Sequence, residues 1–236
     1  MRPELLNPLF AEISVLKGVG NALSKPLDRL GLSKMVDLAF HLPIGWVERM
    51  RVSRLDHNDI GRTIIITLTP TDYRAGGSPR APFRVWAVDG EGNGVSLVYF
   101  GKNSGWPRKL LPIGEPRVIS GKLEAYGDQL QIIHPNHVGL VEEAAQIPVM
   151  EPVYPLSEGI TNARMRDLAA EALTRAPELP EWIDASVLGS HGWKGWRDSL
   201  LSVHATPDSH EARRRLAYDE IFSGQLALML VRAASR

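Results

Sequence analysis

The densest run of residues able to hold a ligand is at 100–109, where Phe100, Lys102, Asn103, Trp106, Arg108 and Lys109 interleave two aromatic rings with three cations. Aromatic faces stack on unpaired bases at ~1–3 kcal/mol each, while Lys and Arg neutralise phosphates, so this mixture suits a nucleic-acid surface. Trp106 has a second reading, as core that closes one end of a barrel together with Leu110 and Leu111, leaving ordinary solvated charges around it. A neighbouring loop, 71–82, brings Tyr73, Arg74 and Arg80 toward the same kind of surface, although its Gly76-Gly77 pair equally suits a flexible linker.

A third candidate is the turn Leu16-Lys17-Gly18-Val19-Gly20. Its two glycines permit a sharp reversal that points helix-start amides outward, where their partial positive charge holds a phosphate without reading sequence. The length matches the hairpin of helix-hairpin-helix motifs, and Lys17, Gly18 and Gly20 are its candidate contacts. A connector between helices with no ligand fits as well, and Pro26 within the next helix departs from the motif.

Enzymatic signatures are missing from the sequence. It contains no Gly-x-x-x-x-Gly-Lys-Ser/Thr phosphate loop, no His-Glu-x-x-His and no Gly-x-Ser-x-Gly elbow. His134-Pro135-Asn136-His137 can be drawn as a metal pair, but Pro135 at a strand end reads more simply as a turn with solvated imidazoles. The absence of cysteine excludes disulfide scaffolds, Cys zinc ribbons and Cys nucleophiles. The expectation is a chain that is not catalytic alone and has no metal or cofactor site of its own.

The 236 residues carry 27 Lys and Arg against 27 Asp and Glu, so bulk charge makes no case for a nucleic acid. The neutral total conceals a separation: residues 60–136 hold 9 basic against 6 acidic groups, and residues 137–236 hold 10 against 14. Charged residues interrupt every apolar stretch before the ~18 needed to cross a bilayer. Met1-Arg2-Pro3-Glu4 lacks the layout of a secretory signal, so the expected location is cytoplasmic, with no membrane partner.

Three segments must position these residues. Residues 1–59 read as helical: apolar spacing predicts a helix over 5–13, another over 21–30, and a third near 35–42 capped by Ser33. Residues 60–140 switch period. Short β-branched runs at 62–69, 83–89, 95–100, 117–123 and 130–134 predict five strands, with a hairpin at Gly90-Glu91-Gly92-Asn93-Gly94 and another at Tyr126-Gly127-Asp128. Five strands with a helical turn near 108–111, after the third, form the pattern of an OB-type Greek-key β-barrel, with an SH3-like barrel as the alternative. Residues 141–236 return to helix, at 162–176, 182–188, 196–203 and one long helix over 207–236. Arg213-Arg214-Arg215 near Glu211, Asp219 and Glu220 reads as solvated i,i+4 pairs, and Trp193 and Trp196 with Leu200 as packing. Leu226-Ala227-Leu228-Met229-Leu230-Val231 is apolar on every face, which predicts burial and a helix that leads toward further protein. The fold class expected is α+β, a barrel flanked by N-terminal and C-terminal helices.

The order of short motifs resembles one family. Leu16-Lys17-Gly18-Val19-Gly20, Leu38-Ala39-Phe40-His41-Leu42-Pro43, Tyr99-Phe100, Ile133-His134-Pro135, Pro152-Val153-Tyr154-Pro155 with Glu158-Gly159, Val203-His204, and Arg215-Leu216-Ala217-Tyr218-Asp219-Glu220 follow one another as they do at the front of RecG, the bacterial ATP-dependent helicase that remodels branched DNA. The resemblance covers nearly the whole chain. It implies a wedge domain, an OB barrel set on helices that splits the arms of a replication fork or Holliday junction during DNA repair and recombination. Helicase motor lobes with ATP and Mg would belong to the full-length parent, beyond these residues.

In that family an aromatic ending the third strand stacks on the base pair at the branch point, and the resemblance puts Phe100 there. A second aromatic, four residues on in some members, aligns with Ser104, and Trp106 stands two residues beyond. Lys102, Arg108 and Lys109 would then contact phosphates, which positions without specifying sequence. A different class of function, a protein-interaction module that docks onto another subunit, also fits the neutral charge and the apolar last helix.

Overall fold

The β-branched runs within 62–134 form the five strands they predict in the computed structural model, which describes residues 3–74, 81–101 and 105–235. The elements are α1 (Asn21–Arg29), α2 (Met35–Ala39), β1 (Gly45–Arg51), β2 (Thr63–Arg74), β3 (Phe83–Val88), β4 (Gly94–Tyr99) and α3 (Gly105–Leu110). They continue with β5 (Arg117–Tyr126), β6 (Gln129–Ile133), β7 (His137–Gly139), β8 (Met150–Val153), α4 (Asn162–Leu173), α5 (Ala185–His191), α6 (Trp196–Ala205) and α7 (His210–Ala234). Two compact units result, a barrel unit of Val47–Glu151 and a helical unit made of Met1–Trp46 with Pro152–Arg236. The three consecutive segments read from composition therefore regroup as two units. The ends of the chain build one core together, and β1, β7 and the 3-10 turn Val141–Gln146 pack with the barrel strands.

The barrel closes through a fixed order of pairings. β2 is antiparallel to β3, β3 to β4, β6 to β5 and β5 back to β2, while β4 and β6 run parallel. The parallel pairing of third and fifth barrel strands, with α3 after the third, is the OB order rather than the SH3-like one. Alternation points Ile64, Ile66, Leu68, Val85, Leu97, Ile119 and Ile132 into one core, which Leu111 enters from the end of α3. On the outer face, Ile65, Val118 and Ile147 make a second small cluster beneath the 3-10 turn. β5 passes so close to β6 that a Cβ on Gly121 would fall 2.3 Å from Ile132 Cγ2.

The predicted β3–β4 hairpin is held by a buried carboxylate. Asp89 accepts from the amides of Leu55 (2.7 Å), Glu91 (2.9 Å) and Asn93 (2.9 Å) and from Asn93 Nδ2 (2.9 Å). Burial alone would push this carboxyl up, but the four donors outweigh it and hold it below the usual range.

β1 was not expected, since Glu48, Arg49 and Arg51 make a run that does not read as a strand. Its Arg49 is buried, 2% exposed, because the Glu151 carboxylate pairs with it, and Ser120 Oγ (3.1 Å) and the Pro148 carbonyl (3.1 Å) take further guanidinium hydrogens. A buried guanidinium is tolerable only with such partners.

In the helical unit several local expectations change. Residues 5–13 form 3-10 turns, Glu4–Phe10 and Ile13–Val15, because Pro8 has no amide to donate and crowds the preceding turn. Lys34, not Ser33, caps α2. The Asp37 carboxylate reaches back to accept from the amides of Ser33 (2.9 Å) and Lys34 (2.8 Å). Trp182 precedes α5, whose start Asp184 caps by accepting from Ser186 N (2.8 Å).

Arg215 is no solvated surface charge. It is fully buried and paired with Asp219 and with Glu181 at 3.0 Å, so only Arg214, 3.1 Å from Glu211, fits the expected exposed pairing. Leu226, Leu228, Met229, Leu230 and Val231 at the end of α7 are exposed, not buried, and no described residue covers them. Among the described residues, no helix is long and apolar enough to cross a membrane.

Three of the quoted motifs meet in this core. His204 Nδ1 accepts from the Tyr154 hydroxyl at 2.9 Å and Nε2 donates to the Ala39 carbonyl at 2.9 Å, while His41 Nε2 donates to the Pro155 carbonyl at 2.8 Å. Burial holds His204 below its ordinary value of 6.5 and pushes Tyr154 up to about 12.

Two outcomes are expected. Gly121→Ala lowers the stability of the chain by about 1–3 kcal/mol in a denaturant titration, through overpacking against Ile132. The folded chain keeps His204 neutral whereas the unfolded chain protonates it below 6.5, so its contribution is complete above that pH and declines as pH falls. The thermal midpoint of the chain should drop between about pH 7.5 and about pH 5.5, and His204→Gln should flatten that slope.

Candidate nucleic-acid interface

At the end of β4 the chain passes from core to surface within two residues. Tyr99 is buried and belongs to the barrel core, whereas Phe100 is 53% exposed. The Tyr99 hydroxyl has no hydrogen-bond partner among the described residues, and burial pushes it above the usual phenol range. Nothing comparable holds the Phe100 ring in the core, because strand alternation turns it outward.

α3 then returns to the barrel. Leu111 is fully buried and Leu110 packs against the same core, so these two residues do the closing that sequence alone divided among three. Trp106 is 53% exposed and only the edge of its contact reaches inward, a T-shaped approach to Tyr99 with centroids 6.1 Å apart. The core reading of Trp106 therefore gives way to a surface ring propped on a buried one. Arg108 and Lys109, further along α3, are exposed as well.

Tyr73 plays a supporting part. Its hydroxyl donates to the Leu111 carbonyl at 2.7 Å, its ring lies 5.8 Å from that of Phe83, and the Arg108 guanidinium carbon sits 4.7 Å from its centroid and 5.2 Å from the Phe83 centroid. Cation–π contact of this kind fixes the guanidinium over the barrel end while leaving its outer hydrogens to solvent. Arg74 is exposed and 3.3 Å from Asp72, which offsets part of its charge. Arg80 and Lys102, both expected contacts, lie outside the described residues, as does Asn103.

Two residues escaped the sequence reading. His134 accepts the Phe100 amide hydrogen at Nε2 (3.2 Å) and its ring lies 5.8 Å from that of Phe100. In sequence it reads as an exposed turn imidazole, which it is, and as part of the Ile133-His134-Pro135 motif, but neither reading gives it a contact with Phe100. Arg84, a half-buried residue of β3, puts its guanidinium 5.8 Å from the Tyr126 ring, and strand alternation is the signal that turns it outward. His137 points elsewhere, 3.6 Å from Glu151, so the two histidines do not converge. Among the described residues no three His, Asp or Glu gather in a way that would hold a metal ion.

The Lys17–Gly20 hairpin belongs to the helical unit. Lys17 is exposed, Gly18 adopts φ +77, and Gly20 precedes α1 without a side-chain cap. The Arg164 guanidinium donates to the Lys17 carbonyl at 2.6 Å and lies 2.9 Å from where a Gly18 Cβ would stand. The hairpin thus has a second cation at hand, drawn from α4 instead of from its own sequence.

Comparison with known proteins gives this geometry a family. The family described as the RecG wedge domain matches residues 12–176. The ATP-dependent DNA helicase RecG of Acidithiobacillus ferridurans is 28% identical over 95% of the chain, and that of Escherichia coli K12 is 23% identical over 95%. These alignments cover 33% and 34% of the relatives, so the chain spans about a third of their length. A solved RecG, bound to a three-way DNA junction, superposes with TM-score 0.70 at 24% identity, covering 95% of this chain and 31% of that one, which shows a shared fold. With the family matching well over half its residues, and the barrel order and helical core both in place, the chain belongs to the RecG wedge-domain family.

Proposed function

We propose that this chain is the branched-DNA-binding and strand-separating wedge of an ATP-dependent DNA helicase that acts in repair and recombination. The observation that carries the reading is the half-exposed Phe100 at the end of β4, followed in the barrel unit by a second half-exposed ring, Trp106, and by Arg108 and Lys109, all three in α3. Phe100 would stack on the base pair at the fork or Holliday-junction branch point. Trp106 would extend the apolar edge, and Lys102, Arg108 and Lys109, with Tyr73, Arg74 and Arg80 on the adjoining loop, would follow the phosphates. Lys17, Gly18 and Gly20 would add a second backbone contact. Such contacts recognise shape without reading sequence.

The chain alone would be non-catalytic. ATP and Mg would be held by motor lobes in the two thirds of the relatives that it does not match, and those lobes would be its partner within one parent protein, in the cytoplasm. The exposed apolar end of α7 favours a second reading, a protein-docking module; such a module would retain its partner after nuclease treatment.

The direct experiment is titration of the chain into labelled three-way fork, linear duplex and single-stranded DNA at two salt concentrations. Tighter, salt-sensitive binding to the fork is expected, and equal affinity for all three overturns the reading. Phe100→Ala should weaken fork binding by roughly 5- to 150-fold, the worth of one stacked base, with the melting temperature held. Lys109→Ala should reduce the slope of log affinity against log salt by up to about 0.9, which measures one lost phosphate contact. Trp106→Ala should impair fork binding more than it lowers stability, since half its surface already faces water.

A further inference from the structure

We propose that His134 positions Phe100: its imidazole holds the backbone at which β4 ends and thereby aims the exposed ring. This rests on the stacking role of Phe100 and adds the residue that would make that role possible.

The geometry begins with the parallel pairing of β4 and β6, whose last register position matches Val98 with Ile133. His134 still donates its amide to the Val98 carbonyl at 2.9 Å, but the next residue of that chain is Pro135, which has no amide, and the ladder ends. Phe100, two residues beyond Val98, would be left with a free N–H. The His134 side chain takes over, accepting that hydrogen at Nε2 from 3.2 Å, which places the ring proton on Nδ1. The same ring lies edge-on to Tyr99, centroids 6.0 Å apart at 90°, and tilted against Phe100 at 5.8 Å. One imidazole therefore contacts both the inward and the outward aromatic of the strand end.

The backbone of His134 supports a dedicated role. It is the one non-glycine among the described residues with positive φ, at +45. A residue with a Cβ occupies that region at a cost and persists there when its surroundings hold it. Asn is among the residues that enter it most readily and would serve the turn alone, so the turn does not itself call for imidazole. What imidazole adds is reach: an acceptor and an aromatic face delivered together to Phe100.

The test uses the 236-residue chain with His134→Asn, Phe100→Ala and the double variant. His134→Asn suits the backbone but withdraws the ring, so the thermal midpoint should stay near that of the parent. Exchange of the Phe100 amide should accelerate about tenfold, the loss of one hydrogen bond. Fork affinity should fall by at least about threefold, and the double variant should bind no more weakly than Phe100→Ala, because residues that act through one another are not additive. His134→Ala, assayed alongside, should match His134→Asn in binding whether or not it is less stable. Unchanged exchange at Phe100, unchanged fork binding by His134→Asn, or effects that multiply in the double variant would each overturn the positioning role. If Phe100→Ala itself binds forks like the parent, the stacking reading falls, and this inference with it.

Discussion

Strand β2 belongs to two sheets at once, and the barrel exists because it can. Its first half, Thr63 to Leu68, pairs with β5, and its second half, Thr69 to Arg74, pairs with β3. Within that second half the register slips, with Pro70 opposite Ala87 and Asp72 opposite Trp86, leaving Thr71 as the extra residue of a bulge. A bulge bends a strand and increases its twist, and here it lets twelve residues turn the corner of a small barrel. Pro70, which cannot donate to a ladder, sits at that irregularity and still accepts at its carbonyl from Gly114, 2.8 Å away. Without the bend β5 could not return to β2, and Tyr73 would not arrive beneath the Leu111 carbonyl to carry α3 and its cations.

Charge inside the protein follows one rule in both units. Arg49 in the barrel unit and Arg215 in the helical unit are each enclosed, and each meets carboxylate: Glu151 for the first, Glu181 and Asp219 for the second. For Glu181, burial would raise the carboxyl, yet the Ile183 amide and the Arg215 guanidinium hold it below its usual range. Hydrogen bonds from Trp182 Nε1 to Asp219 (2.8 Å) and from Trp193 Nε1 to Glu211 (3.0 Å) tie the aromatic surface of α7 to the same polar frame. Removing one partner of such a pair strands the other charge away from water, a loss of about 3–5 kcal/mol.

How much of this was legible depends on whether a feature is periodic. The barrel strands announce themselves in Ile64, Ile66 and Leu68 or Val85 and Ala87, because burial of one face imposes alternation. β1 does not, since Arg49 is buried by virtue of Glu151, 102 residues away, and no local pattern carries that information. Arg215 misled for the same reason, its partner Glu181 lying 34 residues upstream. At the candidate interface, Phe100, Trp106, Arg108 and Lys109 were legible as a composition, but not which aromatic belongs to the core. Tyr99 takes the buried place, in step with Val95 and Leu97 on the same face of β4, while Phe100 and Trp106 stay half exposed, and that allocation depends on the strand's register in the barrel rather than on residue type. The hydrogen bond from Phe100 to His134 spans 34 positions and was equally hidden.

The helical unit is interrupted by the barrel unit in the chain, and synthesis on the ribosome makes that interruption a matter of timing. Residues 47–151 are contiguous and can complete their barrel as soon as they emerge. The N-terminal residues cannot complete theirs, because Leu9 and Ala39 pack with Leu200, Val203 and Leu216. At ~5–20 residues per second, the delay between the end of the barrel and the arrival of Leu216 is roughly 3 to 13 s. Ile13, Leu16, Leu27 and Met35 can meet Ile160, Met165 and Leu168 early in that interval, whereas Leu9 and Ala39 wait for its end, so the face they form is the one a chaperone would meet.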